Sequence, residues 1–381
     1  MTFLLIVAIN RVLRNKGWFH THQEPDLTQW LDIVALGTIC DVVPLIGLNR
    51  ALVRQGLKVL QRRKNPGLRA LSDIAGISEE PGTYHAGFIL GPRINAGGRI
   101  GAPELGSRLL CTENDSEAKN IAQRLDLLNL ERRDIEASVL TAATNSIVQK
   151  GKDIGSIIIT SGEDWHPGVV GIVASRLVDR FNRPACVISM NGDHGTGSGR
   201  SVSGVDLGSS IIAAMQAGLL IKGGGHKMAA GFTIERNKIS ELQDFLEQRV
   251  ALDIREKGIR PSLYLDGAIR PAAANLNFLE TLSQVGPFGS GNPEPRFVIP
   301  SARLSYAAVV GDKHIRGFIT DESNGRLAAI SFNSIDTPLG QALLKSSESP
   351  LHIAGRLKTN TWQGRTSAQL HIDDAASVWV S

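Results

Sequence analysis

In SIIITSGEDWHPGVVGIVASRLVDRFNRPACVISM, residues 156–190, a short apolar strand pattern (SIIIT) precedes a helical one (GVVGIVASRLVDRF) and a second strand pattern (ACVISM). Strand and helix alternating at this spacing predict an α/β unit built on a mostly parallel sheet. Downstream, IIAAMQAGLL reads as another helix, GGGHKM as a glycine-histidine turn, GFTI as a strand and SELQDFLEQRVAL as an amphipathic closing helix. Upstream, residues 114–150 are the longest periodic segment. Asn114, Asp115 and Ser116 offer caps, and Leu125, Leu128, Leu130, Ile135 and Leu140 form a broken apolar stripe, the pattern of a helix that joins two domains.

Residues 1 to about 110 read as helices with short connections. LDIVALGTICDVVPL (31–45) runs apolar around Asp41 and closes at Pro44, and the next helix keeps its period through Leu52, Leu57 and Leu60. The apolar opening, Phe3 to Ile9, lacks the basic lead and cleavage site of a signal peptide and is expected to be a buried helix. From about 260 the texture changes. LYLDGAI, FVIPSARLSYAAVV, HIRGFIT, RLAAISF, LHIAGRLK and AQLHIDDA alternate between turn residues, with NTWQGR (360–365) as a hairpin tip. This predicts a small barrel of the OB type, and for the whole chain an α/β multidomain fold.

A chain of 381 residues, 42% hydrophobic and 20% charged, fits two or three soluble domains. A net charge of +4 permits a nucleic-acid partner without demanding one. Cys40, Cys111 and Cys186 are too scattered for a disulfide framework or a zinc knuckle, which favours a reducing cytoplasm. No apolar run reaches membrane-spanning length, so no membrane partner is expected.

Four glycine-rich or basic turns recur. GPRINAGGRIGAPE (91–104) carries Arg93, Asn95 and Arg99, and DWHPGVVG sets His166 before Pro167 at a helix start. HGTGSGRSVSG (194–204) carries Ser198 and Arg200, and GGGHKM carries Gly224, Gly225, His226 and Lys227. Each combines bare backbone N–H groups with a side chain suited to anions. Four such turns predict a phosphate-bearing substrate.

In order, ALGTICDVVPLIGLNR, GPRINAGGR, DWHPGVVGIVASRL, GSGRS, GGGHKMAAGF and GPFGSGNPEP closely resemble the RecJ family of single-strand-specific DNA exonucleases, within the DHH phosphoesterase superfamily. The resemblance runs the length of the chain. It implies the C-terminal part of a DHH domain over 1–110, a connecting helix over 111–150, an α/β DHH-associated domain over 151–255 and an OB-type β-barrel over 256–381. It also implies 5′ to 3′ hydrolysis of single-stranded DNA by two divalent ions, Mn²⁺ or Mg²⁺, in recombination and repair. By the same resemblance Asp41 is a metal ligand, Ser198 and Arg200 bind the terminal 5′ phosphate, and His226 is the catalytic contact to the scissile phosphate. Gly224 and Gly225 clear space for the strand, while Asn95 and Arg99 face the same cleft. His166 is expected only to start its helix. On the barrel, Lys313, Arg316, Lys358, Trp362 and Arg365 are expected to hold the strand, with Phe297, Phe318 and Phe332 buried and PFGSGNPEPRF (287–297) a rigid turn more than a contact. A helicase and a single-strand-binding protein are the partners expected beyond DNA.

The sequence departs from the family in one respect. It contains no Asp-His-His tripeptide, and of the metal-binding aspartates only Asp41 is matched. The chain thus resembles a family member without its N-terminal portion, whose helices would expose apolar faces and whose hydrolytic activity is expected to be lost. Two other functions are kept open: a catalytically dead single-strand-binding remnant and a phosphatase for small nucleotides. The strand-rich C-terminal part argues against the phosphatase.

Overall fold

The computed structural model describes residues 1–149, 154–256, 258, 262–322, 325–347 and 349–378. The 150/151 boundary drawn from the sequence lies outside the described residues. The chain divides into two compact units, one of residues 1–62, 80–87 and 263–381, the other of 63–79 and 88–262.

The second unit begins with helices Pro66–Ile74, Gly91–Ile100 and Glu104–Cys111. Asn65 caps the first by accepting a bond from the Leu68 amide at 2.9 Å, and Pro66 follows where its missing N–H costs nothing. All three pack on the helix Asp115–Gln149, which at 35 residues is about 52 Å long. Its buried face runs through Ile121, Leu125, Leu128, Arg132, Glu136, Val139 and Ala143. The five-stranded sheet has β1 (Ile158–Glu163), β2 (Ala185–Asn191), β3 (His194–Arg200), β4 (Lys222–His226) and β5 (Ala229–Glu235), in the order β1-β2-β3-β5-β4. Helices Leu207–Gln216 and Ile239–Glu256 cover one face, burying Ile157, Ile159, Cys186 and Ile188 with Leu207, Ile211, Leu242 and Leu246. Helix Pro167–Phe181 and the end of the long helix cover the other, burying Ile158, Ala185 and Val187 with Val139, Ala143, Val170 and Val173. Alternate residues of each strand thus serve opposite layers.

Two expectations change here. Only β1 and β2 pair in parallel; β2–β3, β3–β5 and β5–β4 are antiparallel. The three glycine-rich stretches are also regular structure: 91–100 is helix, 194–200 is β3 and 222–226 is β4. In β3 the core-facing positions are Gly195, Gly197 and Gly199, where a Cβ would lie 2.6 Å from Ile188, 2.2 Å from the Phe232 ring and 2.7 Å from Leu207. Large neighbours fill the space that a strand's own apolar side chains would normally occupy, so the period of two is present but invisible to hydropathy.

In the first unit, helix Leu31–Cys40 crosses Gly47–Gln61 so closely that a Cβ on Gly56 would lie 2.0 Å from the Leu31 carbonyl oxygen. Asp32, overlooked in the apolar run, is buried at the head of the first of these helices, and burial raises its pKa. Helix Thr2–Asn15 is not buried as expected. Leu4, Leu5, Ile6, Val7, Ile9 and Val12 are exposed, and Asn10 is its only buried residue. The 287–297 segment is a tight turn, closed by mutual bonds between Gly289 and Asn292 at 2.9 and 3.1 Å, and it packs within this unit: the Leu45 amide donates to the Ser290 carbonyl at 2.6 Å, and Gly289 and Gly291 press against Leu45 and Pro44.

The rest of this unit is β-rich. LYLDGAI contributes only β6 (Gly267–Ala268). Strands β7 (Arg296–Val310), β8 (His314–Thr320), β9 (Arg326–Ser331), β10 (Leu351–Trp362) and β11 (Arg365–Ser377) pair in the ring β7-β8-β9-β11-β10, which returns to β7. The β9–β11 contact is parallel and helix Pro338–Lys345 lies between β9 and β10 in sequence, an OB-type arrangement. Ile299, Leu304, Ile315, Ile319, Leu343, Ile353 and Leu370 fill the interior.

At one end, half-buried Asp373 accepts bonds from Arg296 Nε and Arg356 Nη2, both at 2.7 Å. Burial alone would raise its pKa, but the two guanidinium partners outweigh burial and hold it below the ordinary value. A depressed carboxylate adds stability above its unfolded pKa, and that stability is lost as pH falls through the folded value. Asp373 should therefore contribute no pH dependence to the barrel's melting from pH 7 to about 4 and should reduce its stability below that. Asp373→Asn should lower the neutral-pH stability by about 1 kcal/mol, after discounting for solvent screening, and flatten the acid limb. Melting of wild type and variant from pH 2 to 7 checks this, and parallel curves would contradict it.

Candidate functional site

The sheet of the second unit brings the phosphate-type residues into rows. Arg200 pairs with Ala229, and Ala229 with His226. Directly paired residues share a face, so Arg200 and His226 project on the same side, two strands and about 10 Å apart. In the next row Ser198 pairs with Gly231, and Gly231 with Gly224. A Cβ on Gly224 would meet no atom within 4 Å, and one on Gly231 only the Gly197 oxygen at 4.0 Å. Packing does not require these two glycines. They leave a floor of bare backbone beside Ser198, Arg200 and His226. Gly225 differs: a Cβ there would lie 2.4 Å from the Ala229 oxygen, so the hairpin itself requires a glycine.

The N-terminal half of helix Pro167–Phe181 packs at this floor's edge. His166 is its N-cap, with Nδ1 accepting from the Gly168 amide at 3.0 Å, as the sequence suggested. A Cβ on Gly171 would come within 3.0 Å of both Arg200 Nη2 and Ser198 Oγ, so a glycine lets the helix sit against the pair. Arg200 donates to Ser198 Oγ at 3.1 Å and to the Gly199 carbonyl at 2.8 Å. Burial, and after it the Arg99 guanidinium, lower the Arg200 pKa from its ordinary value. A bound anion would relieve both costs. His226 accepts the Met228 amide on Nδ1 at 3.3 Å, which leaves Nε2–H as a donor.

Asn95 and Arg99 lie one turn apart, both exposed, on helix Gly91–Ile100, and Arg99 donates to the Gly168 carbonyl at 3.1 Å. Arg93 is occupied by an ion pair with Asp126 at 2.8 Å. Sequence reasoning missed Gly231 and Arg132. Arg132 is buried on the long helix, paired with Glu136 and bonded to Asn129, and its Nε lacks a partner. Desolvation lowers its pKa, and the Arg99 charge pushes the same way. Its signal was legible: 125, 128, 132, 136 and 139 keep one helical phase, so Arg132 and Glu136 interrupt an apolar stripe from within.

Asp41 belongs to the first unit. It is exposed at the C-cap of helix Leu31–Cys40, where a carboxylate meets the negative end of the helix dipole and caps nothing. Val42 follows at φ 55°, with the Val42 amide bonded to Ile39 and the Val43 amide to Thr38. This is a Schellman turn with valine where glycine is usual, a conformation costing about 1–2 kcal/mol. Among the described residues no group of three or more His, Cys, Asp or Glu is gathered to hold a metal. The residues present thus supply one carboxylate, not a ligand set for two ions.

On the barrel, Lys313 and Arg316 are exposed, and Trp362 and Arg365 flank the hairpin tip, with Trp362 72% exposed. Lys358 is taken by Glu294 at 2.7 Å. Phe332 is exposed rather than buried, because its ring stands between His314 and His371 on the barrel surface; Phe297 and Phe318 are half-buried.

Residues 154–252 match the DHHA1 domain family, and residues 265–374 match the RecJ OB domain. Over 386 aligned residues the chain is 34% identical to the single-stranded-DNA-specific exonuclease RecJ of Salmonella typhimurium, covering 98% of this chain and 66% of that protein. The chain therefore spans just under two thirds of that relative's length. Two crystal structures of Thermus thermophilus RecJ, one in complex with Mg²⁺ and one with Mn²⁺, superpose with a TM-score of 0.79 at 27% identity. Both cover 95% of this chain, and 54% and 52% of those proteins. Ordered sequence motifs, both domain matches and the shared fold lead to one assignment: the chain belongs to the RecJ family.

Proposed function

We propose that this chain carries the strand-holding part of a RecJ-type 5′ to 3′ exonuclease acting on single-stranded DNA in the cytoplasm, during recombination and repair. The observation that carries the reading is the bare floor at Gly224 and Gly231, with Ser198 and Arg200 at one end and His226 at the other. The terminal 5′ phosphate sits against Arg200, Ser198 and the N-terminus of helix Pro167–Phe181, with Arg99 and Asn95 closing that end. The next phosphate reaches His226 Nε2–H, and the glycines let the sugar-phosphate backbone lie against the sheet. A helicase or a single-strand-binding protein would deliver the strand.

Asp41 is the proposed carboxylate ligand for Mn²⁺ or Mg²⁺. Its position at the negative end of a helix, beside a strained valine, favours a cation there over a structural role. One carboxylate does not assemble two-ion hydrolysis. The same shortage favours the second reading, a protein that binds single strands without cutting them.

The 381-residue chain should accordingly bind single-stranded DNA and release nucleotides at background rate. The assay incubates purified chain with a 5′-phosphorylated oligonucleotide and Mn²⁺ or Mg²⁺ and follows both binding and products. Robust metal-dependent release would contradict the expectation about hydrolysis. Absence of binding would contradict the proposed function itself.

A further inference from the structure

Arg200 and His226 stand on different strands with β5 between them, and one short connection touches both ends. Beyond Arg200, the Ser201 amide donates to the Met228 carbonyl at 3.0 Å, which ties the end of β3 to the β4–β5 turn. Buried Ser201 then turns the chain back. Its Oγ donates to the Val205 carbonyl at 2.9 Å, and Gly204 supplies a φ of 96°. Val205 and Leu207 enter the core with Ile211 and Phe232, and Asp206 caps helix Leu207–Gln216 by accepting from the Ser209 amide at 3.0 Å.

The first two residues of that helix meet different ends of the site. Leu207 lies against Gly199, the residue between Ser198 and Arg200, on the opposite face of the sheet: a Cβ on Gly199 would come 2.7 Å from Leu207 Cδ2. The Leu207 amide also donates to the Lys227 carbonyl at 3.1 Å. Gly208 presses on His226 itself, where a Cβ would lie 2.8 Å from the backbone N, C and O. Glycine is a poor helix former, so its use at the second helical position calls for a packing reason, and the His226 backbone supplies one.

We propose that Leu207 and Gly208 are positioning residues that set the spacing between the 5′-phosphate seat at Ser198 and Arg200 and the donor at His226, and so select which phosphate of the strand His226 meets. The inference rests on the function proposed above and adds how its two contact points are kept in register. Leu207 supports one point and Gly208 the other, and because they are adjacent on one helix neither point moves freely of the other. The core beneath is close-packed and transmits a shift at the helix start to the strands above it. A displaced donor then loses its bond, since hydrogen bonds weaken steeply with distance and angle.

The test measures binding of the full chain, in EDTA, to three labelled dodecathymidylates. One carries a 5′ phosphate, one a 5′ hydroxyl, and one a 5′ phosphate with a neutral methylphosphonate at the first internucleotide linkage. In wild type the neutral linkage should weaken binding roughly 10-fold, through the lost bond to His226. In Gly208→Ala that penalty should vanish while the preference for a 5′ phosphate stays, because the added methyl displaces the turn that carries His226. Leu207→Val shortens the side chain against Gly199 and should do the reverse, with a several-fold smaller 5′-phosphate preference and the linkage penalty kept. Residues that only stabilise the helix would lower the melting temperature and weaken all three strands alike. A Gly208→Ala protein that keeps the wild-type linkage penalty, or that loses affinity equally for all three strands, would overturn the proposal. If that variant does not fold, an unchanged 5′-phosphate preference in Leu207→Val overturns it instead. In each of those cases a wild-type chain that prefers the phosphorylated strand leaves the function proposed above standing; a wild-type chain that binds none of the strands defeats both.

Discussion

Arg200→Ala should lower the affinity of the chain for a 5′-phosphorylated single strand by roughly 10- to 150-fold, corresponding to about 1.5–3 kcal/mol for charge-assisted hydrogen bonds. Affinity for the same strand with a 5′-hydroxyl should change little. Arg200 is held half-buried by Ser198 Oγ and the Gly199 carbonyl, so its guanidinium meets an anion without first being ordered. Arg99 beside it raises the cost of the empty cluster and the gain on filling it. Arg200→Lys should recover only part of the loss, since one ammonium cannot offer two parallel donors. Fluorescence titration of both strands against the three proteins measures this. Equal losses on both strands would mean that Arg200 supports the fold or the strand in general, not its phosphorylated end.

Gly224→Val should nearly abolish 5′-end binding while the protein stays folded. A Cβ at this position meets nothing within 4 Å, and valine suits a strand. Melting temperature should hold or rise. The isopropyl group, however, stands on the floor where the strand's backbone is proposed to lie. Gly225→Val is the contrasting variant: its Cβ would sit 2.4 Å from the Ala229 oxygen, so it should cost about 1–3 kcal/mol of stability as overpacking. The pair separates a glycine kept open for a ligand from one required by the hairpin. A Gly224→Val protein that binds normally would remove the floor from the account.

These two glycines also mark how far the sequence could be read. Helix Pro167–Phe181, the flanking strands β1 and β2 and the long helix Asp115–Gln149 were legible, because apolar periodicity and caps act locally. The glycine-rich strands were not. Gly195, Gly197 and Gly199 face the core of β3, but their packing partners Phe232 and Leu207 come from elsewhere in the chain. The antiparallel half of the sheet is hidden with them, since β3 and β4 read as turns and only GFTI, within β5, reads as a strand.

The candidate site was legible as residue types and illegible as geometry. Ser198, Arg200 and His226 were named from anion chemistry and family resemblance, but their shared face depends on the β3–β5–β4 register, which no local pattern encodes. Gly231 could be recognised only after Gly224 and Ser198 were seen to flank it. The exposed helix Thr2–Asn15 departs for a different reason: apolar content predicts a preference for burial, and none of the described residues of this unit covers Leu5, Ile9 or Val12. Phe332 is expected in the core as an aromatic ring, yet it stands exposed, edge-on between histidine rings from two other strands, an arrangement no local pattern encodes.

The central claim is that Ser198, Arg200 and the N-terminus of helix Pro167–Phe181 form the seat of a terminal 5′ phosphate. A crystal structure of the chain with a 5′-phosphorylated oligothymidylate tests it most directly. The account predicts the terminal phosphate within hydrogen-bonding distance of Arg200 and Ser198, with the following nucleotides running over Gly231 and Gly224 toward His226. A strand whose 5′ phosphate lies away from Arg200, or which binds with that pocket empty, would contradict it.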